Sequence, residues 1–146
     1  QLPTQLYISV NVPNEKMYQG FHRSSKKDAW KKLNESLDLM SKLKCRTIFR
    51  MNLVKNLNME EKHIEEYAKL IKKANPIFIE VKGYMSVGFA RQRLGYDRMP
   101  TDKEMLKFVE KLVKRLGNPY KLLDSHERSR AYVLGKDKND LKIKGI

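Results

Sequence analysis

Three short segments of the chain alternate apolar and polar residues, which is the pattern typical of half-buried β-strands. Side chains in a strand alternate faces, so each segment has one apolar face and one polar face. The polar residues are Tyr7, Ser9 and Asn11 in the first segment, Arg50 and Asn52 in the second, and Glu80 and Lys82 in the third. Parallel strands covered on both faces are usually apolar throughout. The polar rows therefore predict a hydrated functional cavity, and we expect a further part of the protein to close it.

Amphipathic helices are predicted between and after these strands. Apolar residues recur at three- and four-residue steps in segment 26–43, in a segment that begins after Asn58, and in a segment that begins at Thr101. Asn58 with Glu61, and Thr101 with Glu104, have the spacing of a capping box. Two more strands are predicted near 120–123 and 131–134, and segment 135–146 is expected to be a loosely ordered tail.

The order of these elements predicts an α/β fold in which parallel strands alternate with helices and a strand pair ends the chain. Right-handed crossovers place all helices on one side if the strand order simply advances. The result is half of a (β/α) barrel, with the polar faces lining the lumen near the carboxyl ends of the strands, where such folds bind substrates. A two-layer sheet whose polar face meets solvent fits the same pattern, and the residues alone leave both alternatives open.

The chain is strongly basic, with 31 lysines and arginines against 17 acidic residues and a formal net charge of +14. This excess predicts attraction to polyanions, and nucleic acid is the main candidate. Many of the lysines lie on predicted helix faces, where they could simply solvate the surface. No apolar run has the length of a membrane span, so we expect a cytoplasmic protein with no membrane partner.

Segment 84–100 interleaves arginines, aromatic residues and glycines. Guanidinium groups bind phosphate and aromatic rings stack on unpaired bases, so this mixture is typical of RNA-binding loops. Its arginines are Arg91, Arg93 and Arg98. A surface loop that its aromatic residues anchor to the body is the alternative interpretation.

The polar strand residues leave several chemical roles open. Glu80 and Lys82 share a face and could form an ion pair, although a lysine in a lumen can also form a Schiff base with a carbonyl substrate. Arg50 and Asn52 could hold a carboxylate and a ribose hydroxyl, or Arg50 could pair with Glu80 across the sheet. Cys45 is the only cysteine, so the chain cannot complete a disulfide or a cysteine-ligated iron–sulfur site, and no metal site is predicted.

Four segments resemble the tRNA 4-demethylwyosine synthases, and the archaeal form most closely. They are PTQLYISV at 3–10, RTIFRMNLVKNLN at 46–58, YAKLIKKANPIFIEVKGYMSVGFARQRL at 67–94, and HERSRAYVL at 126–134, which resembles the closing strand region. The segment 67–94 is the most specific of the four. The resemblance covers nearly the whole chain and implies that it corresponds to the carboxyl-terminal half of these enzymes.

This family of radical S-adenosylmethionine enzymes condenses pyruvate carbons with N1-methylguanosine beside the anticodon of phenylalanine tRNA, in wyosine and wybutosine biosynthesis. The resemblance implies half of a partial (β/α) barrel over residues 1–134, with S-adenosylmethionine, [4Fe–4S] clusters and an electron donor. The cysteines that hold the clusters have no counterpart here, so we expect them in an amino-terminal half upstream of Gln1. The intact enzyme is expected to be a carbon–carbon lyase, and this chain alone to be inactive.

The resemblance also implies roles for residues at the carboxyl ends of the strands, although it assigns no catalytic residue. The implied cofactor contacts are Ser9, Asn11, Arg50, Asn52, Gly83, Tyr84 and Met85. The implied tRNA contacts are Arg91, Arg93 and Arg98, with Arg128 and Arg130 as further candidates. A standalone basic RNA-binding module without catalysis, and a scaffold that touches neither cofactor nor RNA, remain the alternatives.

Overall fold

Five strands form one mixed sheet in the computed structural model, which describes residues 1–143. The strands are β1 (Gln5–Ser9), β2 (Arg46–Leu53), β3 (Phe78–Gly83), β4 (Lys121–His126) and β5 (Ala131–Gly135). Their spatial order is β1-β2-β3-β5-β4, so β1 lies at one edge of the sheet. Strands β1, β2 and β3 are parallel, whereas β5 runs antiparallel to both β3 and β4. The α/β class, the parallel strands and the terminal strand pair are therefore confirmed.

Helices connect the strands of this sheet. They are α1 (Glu15–His22), α2 (Ala29–Met40), α3 (Ile64–Ala74), α4 (Gly88–Leu94) and α5 (Asp102–Leu116), with 3₁₀ turns at Glu61–His63, Glu127–Ser129 and Lys138–Leu141. Three of them, α2, α3 and α5, correspond to predicted helices. The other two lie in segments that were predicted as loops, because eight and seven residues are too few to show a clear helical period. Over residues 1–143, none of these helices has the length and apolar character needed to cross a membrane.

The two predicted capping boxes have different outcomes. Thr101 accepts a hydrogen bond from the Glu104 amide, and the Glu104 carboxylate accepts one from the Thr101 amide, so α5 begins as predicted. Glu104 also pairs with Lys55 at 2.6 Å. The prediction for Asn58 is wrong, because its side chain is fully buried and bonds to the strand ends, and the 3₁₀ turn begins at Glu61 without a side-chain cap.

The apolar faces of β1, β2 and β3 pack against α2, α3 and α5 to form the main core. Phe49, Met51 and Ile79 are completely buried in this layer. The helices supply the residues that the amphipathic pattern predicts, among them Tyr67 and Leu112, which are equally buried. Burial of each large apolar side chain contributes about 1.5–3 kcal/mol, so this face fixes the sheet against the helices.

The opposite face of the sheet is divided between an apolar and a polar half. Ile48 and Phe78, which lie side by side near the starts of β2 and β3, form a smaller cluster with Leu123. The polar half lies towards the carboxyl ends of the same strands. The small cluster therefore covers this face near the amino ends of the strands, and the polar side chains near the carboxyl ends remain accessible.

The structure describes residues 135–143 of the predicted tail. Gly135 is the last residue of β5, and the 3₁₀ turn that follows reaches Leu141. The guanidinium group of Arg46 donates to the carbonyl groups of Asp140 at 2.5 Å and Leu141 at 3.2 Å. These bonds attach the tail to the start of β2. Residues 144–146 of the predicted tail lie outside the described residues.

Candidate functional site

Polar side chains from β1, β2 and β3 meet in two neighbouring rows at the carboxyl edge of the sheet. Ser9 is level with Arg50, and Arg50 is level with Glu80. Asn52 and Lys82 are level with each other two residues further along. We call these five residues the polar rows. The register thus brings together the side chains that alternation in the sequence predicted to share a face.

Arg50 is held in one orientation by two neighbours, Glu80 of the polar rows and Tyr7 of β1. Its Nε donates to Glu80 Oε2 at 2.8 Å, and its guanidinium carbon lies 4.2 Å from the centre of the Tyr7 ring. Charge-assisted bonding and the aromatic face together favour one position of the guanidinium plane. Arg50 and Lys82 were the two predicted partners of Glu80, and the structure shows the ion pair with Arg50. Among the described residues no ion pair joins Glu80 to Lys82. Lys82 is exposed.

Asn58 ties the carboxyl ends of β1 and β2 together beneath the polar rows. Its Oδ1 accepts from the Val54 amide at 2.6 Å, and its Nδ2 donates to the carbonyl groups of Asn11 at 2.6 Å and Asn52 at 2.8 Å. The buried side-chain amide thus satisfies three main-chain groups from two segments. The sequence offered only the capping-box spacing, which pointed to another role, so this positioning residue was missed.

Tyr67 of α3 supports the same junction from the helix layer. Its hydroxyl lies 3.0 Å from the Asn58 carbonyl and 3.3 Å from the Asn11 carbonyl, to which it can donate. Burial raises the pKa of the Tyr67 phenol, so the hydroxyl stays protonated and remains a donor. Asn11 itself is partly committed, since its Oδ1 accepts from the Asn52 amide at 3.1 Å. Asn11 therefore shapes the strand ends, whereas Ser9 and Asn52 present exposed side chains.

Segment 83–85, which was predicted to contact the cofactor, is tightly packed where it follows β3. The Gly83 amide donates to the Arg130 carbonyl at 2.8 Å, and the Tyr84 amide donates to the Leu53 carbonyl at 2.8 Å. A Cβ on Gly83 would lie 3.1 Å from the Arg130 Cβ. Side-chain atoms of Pro100 and Met105 would lie as close, at 3.1 and 3.2 Å, so a larger residue at this position would be crowded from three sides.

Arg130 lies beside this end of β3. It has a left-handed backbone conformation, with φ of 47°, and closes the 3₁₀ turn before β5. Its Nη1 approaches the Met85 sulfur at 2.9 Å. The structure therefore brings Arg130 to the predicted cofactor segment, although the sequence grouped it with the tRNA contacts. Arg128 is exposed in the same 3₁₀ turn.

The basic segment after β3 is anchored to the body at both ends. The Tyr84 hydroxyl donates to the Ala90 carbonyl at 2.9 Å, and the Lys55 amide donates to the Arg98 carbonyl at 2.9 Å. Between these anchors Arg91 and Arg93 are exposed on α4, and the Arg91 guanidinium carbon lies 4.7 Å from the centre of the Tyr96 ring. The segment is therefore a fixed cationic surface beside the carboxyl edge of the sheet.

The donor set of the polar rows suits an organic ligand and does not suit an iron–sulfur cluster. A guanidinium, a hydroxyl and an amide side chain can bind a carboxylate and ribose hydroxyls. Cys45, the only thiol in the chain, directly precedes β2 and so lies at the opposite end of that strand from Asn52. Within residues 1–143 no group of three His, Cys, Asp or Glu residues could hold a metal ion.

These features define a class of fold, an α/β sheet with polar side chains at the carboxyl ends of its parallel strands, which is where such folds bind small ligands. Residues 73–136 match the protein-family model described as wyosine base formation. The whole chain is 40% identical over 146 residues to the S-adenosyl-L-methionine-dependent tRNA 4-demethylwyosine synthase of Pyrococcus abyssi. The resemblance to the tRNA 4-demethylwyosine synthases that the sequence suggested is thereby confirmed. The chain spans 42% of the length of that curated relative.

Solved structures give the same relationship. The structure of TYW1 with a lysine-pyruvate adduct bound is 33% identical, has a TM-score of 0.77, and is matched over 94% of this chain and 42% of that chain. The crystal structure of archaeal TYW1 is 30% identical, has a TM-score of 0.70, and is matched over 92% of this chain and 40% of that chain. The predicted fold class is consistent with both neighbours and is confirmed.

Proposed function

We propose that this chain forms the cofactor-binding and tRNA-binding half, at the carboxyl terminus, of a radical S-adenosylmethionine tRNA 4-demethylwyosine synthase. The enzyme would condense pyruvate carbons with N1-methylguanosine next to the anticodon of phenylalanine tRNA. The observation that carries the proposal is the set of polar rows at the carboxyl edge of the sheet, in a chain related to the synthases along its whole length. The lysine-pyruvate adduct named for one TYW1 structure supports pyruvate as the second substrate.

The polar rows fit S-adenosylmethionine, the compound on which the named relatives depend. The oriented Arg50 guanidinium suits the methionyl carboxylate. The exposed Ser9 hydroxyl and the exposed side-chain amide of Asn52 suit the ribose hydroxyls. The amides of Gly83 and Tyr84 are used within the protein, so we expect this segment to shape the adenine pocket. When bound, the cofactor would supply the radical chemistry, while these residues orient it and restrict access of water.

Iron–sulfur clusters do not fit the residues of this chain, which has one cysteine at the wrong end of β2. Another part of the polypeptide would have to hold them and would also have to cover the polar rows. The charge of +14 and the exposed arginines of α4 support tRNA as the macromolecular substrate. Arg98 and Arg128 extend this surface, whereas Arg130 is expected to act at the end of β3.

The direct test uses the full-length gene product, purified and reconstituted without oxygen. It is incubated with S-adenosylmethionine, pyruvate, a chemical reductant in place of the electron donor, and phenylalanine tRNA that carries N1-methylguanosine. Mass spectrometry of the digested tRNA should then detect 4-demethylwyosine, and omission of pyruvate should abolish it. Failure to form this nucleoside with a fully loaded protein would contradict the proposal.

Binding measurements separate the tRNA surface from the chemistry. Replacement of both Arg91 and Arg93 by Ala should weaken tRNA binding and lower the dependence of log K on log salt, because each lost phosphate contact removes about one unit of slope. Lys31 and Lys32 of α2 are exposed and i,i+4-paired with acidic residues, so their replacement by Ala is a charge-matched control. An equal effect of the two double variants would mean that the binding is a general charge effect.

A further inference from the structure

The segment after β3 carries an exposed apolar surface that the fold does not require. Val87 is 65% exposed and Phe89 is 83% exposed, the largest fraction among the large apolar residues that the structure describes. Single exposed apolar residues are common on protein surfaces, but these two follow Met85, which is also exposed, by two and four positions in the sequence. We call Val87 and Phe89 the α4 knob.

Hydrogen bonds hold the backbone on both sides of the α4 knob in place. Tyr84 is buried and donates from its hydroxyl to the Ala90 carbonyl, one residue after Phe89, at 2.9 Å. The Ser86 amide approaches the Met99 sulfur at 3.5 Å and connects the other end of the segment to the chain after α4. Because these contacts hold the backbone on either side of Phe89, a partner that covers the ring has to order only the side chain, which limits the entropic cost of binding.

Charges around the α4 knob identify the partner that would cover it. Arg93 follows Phe89 by four residues, so the two side chains lie on the same face of α4. Arg91 on the neighbouring face is exposed and lies against Tyr96. A protein surface that buried the ring would also have to desolvate these cations, whereas an unpaired nucleotide offers a flat base and a phosphate together.

We infer that Phe89 stacks on an unpaired base of the tRNA anticodon loop while Arg93 contacts a neighbouring phosphate. This inference rests on the proposed function, since it takes the region around the target guanosine as the ligand. Bases within a duplex are covered by their neighbours and cannot offer a face to the ring. Phe89 would therefore discriminate looped from paired nucleotides, which the arginines alone cannot do because phosphates occur in both.

The test measures binding of the full-length protein to two RNAs, the anticodon stem-loop of phenylalanine tRNA and a fully paired duplex of the same stem. Phe89→Ala should weaken stem-loop binding about ten-fold, with unchanged duplex binding and an unchanged salt slope. Phe89→Leu should behave like Phe89→Ala, whereas Phe89→Trp should retain the affinity, because stacking needs a ring. A 2-aminopurine base in the loop reports stacking directly through its fluorescence.

Leu39→Ala is the matched control, because Leu39 is an exposed apolar residue on α2, with 57% of its surface accessible, and should leave both affinities unchanged. Equal stem-loop binding by the parent protein and Phe89→Ala would overturn the stacking role and leave the tRNA function intact. A lower unfolding temperature of the RNA-free Phe89→Ala protein with unchanged RNA affinity would assign the knob to packing within the polypeptide. Parent protein that binds neither RNA at low salt would instead overturn the proposed function, and the inference with it.

Discussion

Replacement of Asn58 by Ala should loosen the carboxyl ends of β1 and β2 at the same time. The Asn58 side chain serves the Val54 amide and the carbonyl groups of Asn11 and Asn52 through three hydrogen bonds of 2.6–2.8 Å. All three bonds are made by one fully buried side chain, so its removal breaks them together. Each bond contributes about 1 kcal/mol net, and the buried groups left without partners add to the loss. We therefore expect a loss of about 3 kcal/mol, reduced if water enters the space that the side chain leaves.

Hydrogen exchange measured by mass spectrometry on the full-length protein gives a local readout of this loss. A change of about 3 kcal/mol in the opening equilibrium corresponds to roughly hundred-fold faster exchange of amides in peptides that span 52–58. Asn58→Asp keeps the acceptor for Val54 but turns an oxygen towards the two carbonyl groups, so it should be at least as harmful. Asn52→Ala removes an exposed side chain and leaves the Asn58 bonds in place, so it should leave exchange almost unchanged. Equal acceleration in Asn58→Ala and Asn52→Ala would refute the assignment.

Three further predictions follow from single contacts. Gly83→Ala should destabilise the protein by about 1–3 kcal/mol, since its Cβ would lie 3.1 Å from the Arg130 Cβ; an unchanged unfolding temperature would contradict this packing. Arg50→Gln should weaken S-adenosylmethionine binding about ten-fold or more in calorimetry on the full-length protein, and unaltered affinity would remove Arg50 from the site. The Lys55 ammonium holds the pKa of Glu104 below its usual value of 4.5, so the stability from this pair is present above pH 4.5 and lost as pH falls through the lowered value. Glu104→Gln should therefore lessen the fall in unfolding temperature below pH 4.5, and an acid profile identical to that of the parent would argue against the pairing.

The sheet and its three main helices could be predicted from the sequence because burial acts on a regular pattern. Alternation around Phe49 and Met51 places both under the helices, and both are fully buried. The same alternation placed Arg50 and Asn52 on the other face. Thr101 and Glu104 form the predicted capping box because all the atoms involved lie within one turn of helix.

Contacts that depend on distant parts of the chain could not be chosen from local patterns. Arg50 and Glu80 are 30 positions apart, and only the register of β2 against β3 brings them level. Asn58 has the spacing of a helix cap, yet its side chain is buried and bonds instead to main-chain groups at the ends of β1 and β2. Arg130 reaches Met85 because β5 pairs with β3, a connection that the linear order of strands does not specify.

The position of β1 at the edge of the sheet has a practical consequence for work with this protein. Among the described strands β1 pairs with β2 alone, so the main-chain groups along its other side are not used by the sheet. An open strand edge is a template on which any extended peptide can add, including a second copy of the same edge. We therefore expect the chain expressed by itself to self-associate, and solubility should improve when it is produced together with a segment that adds a strand alongside Gln5–Ser9.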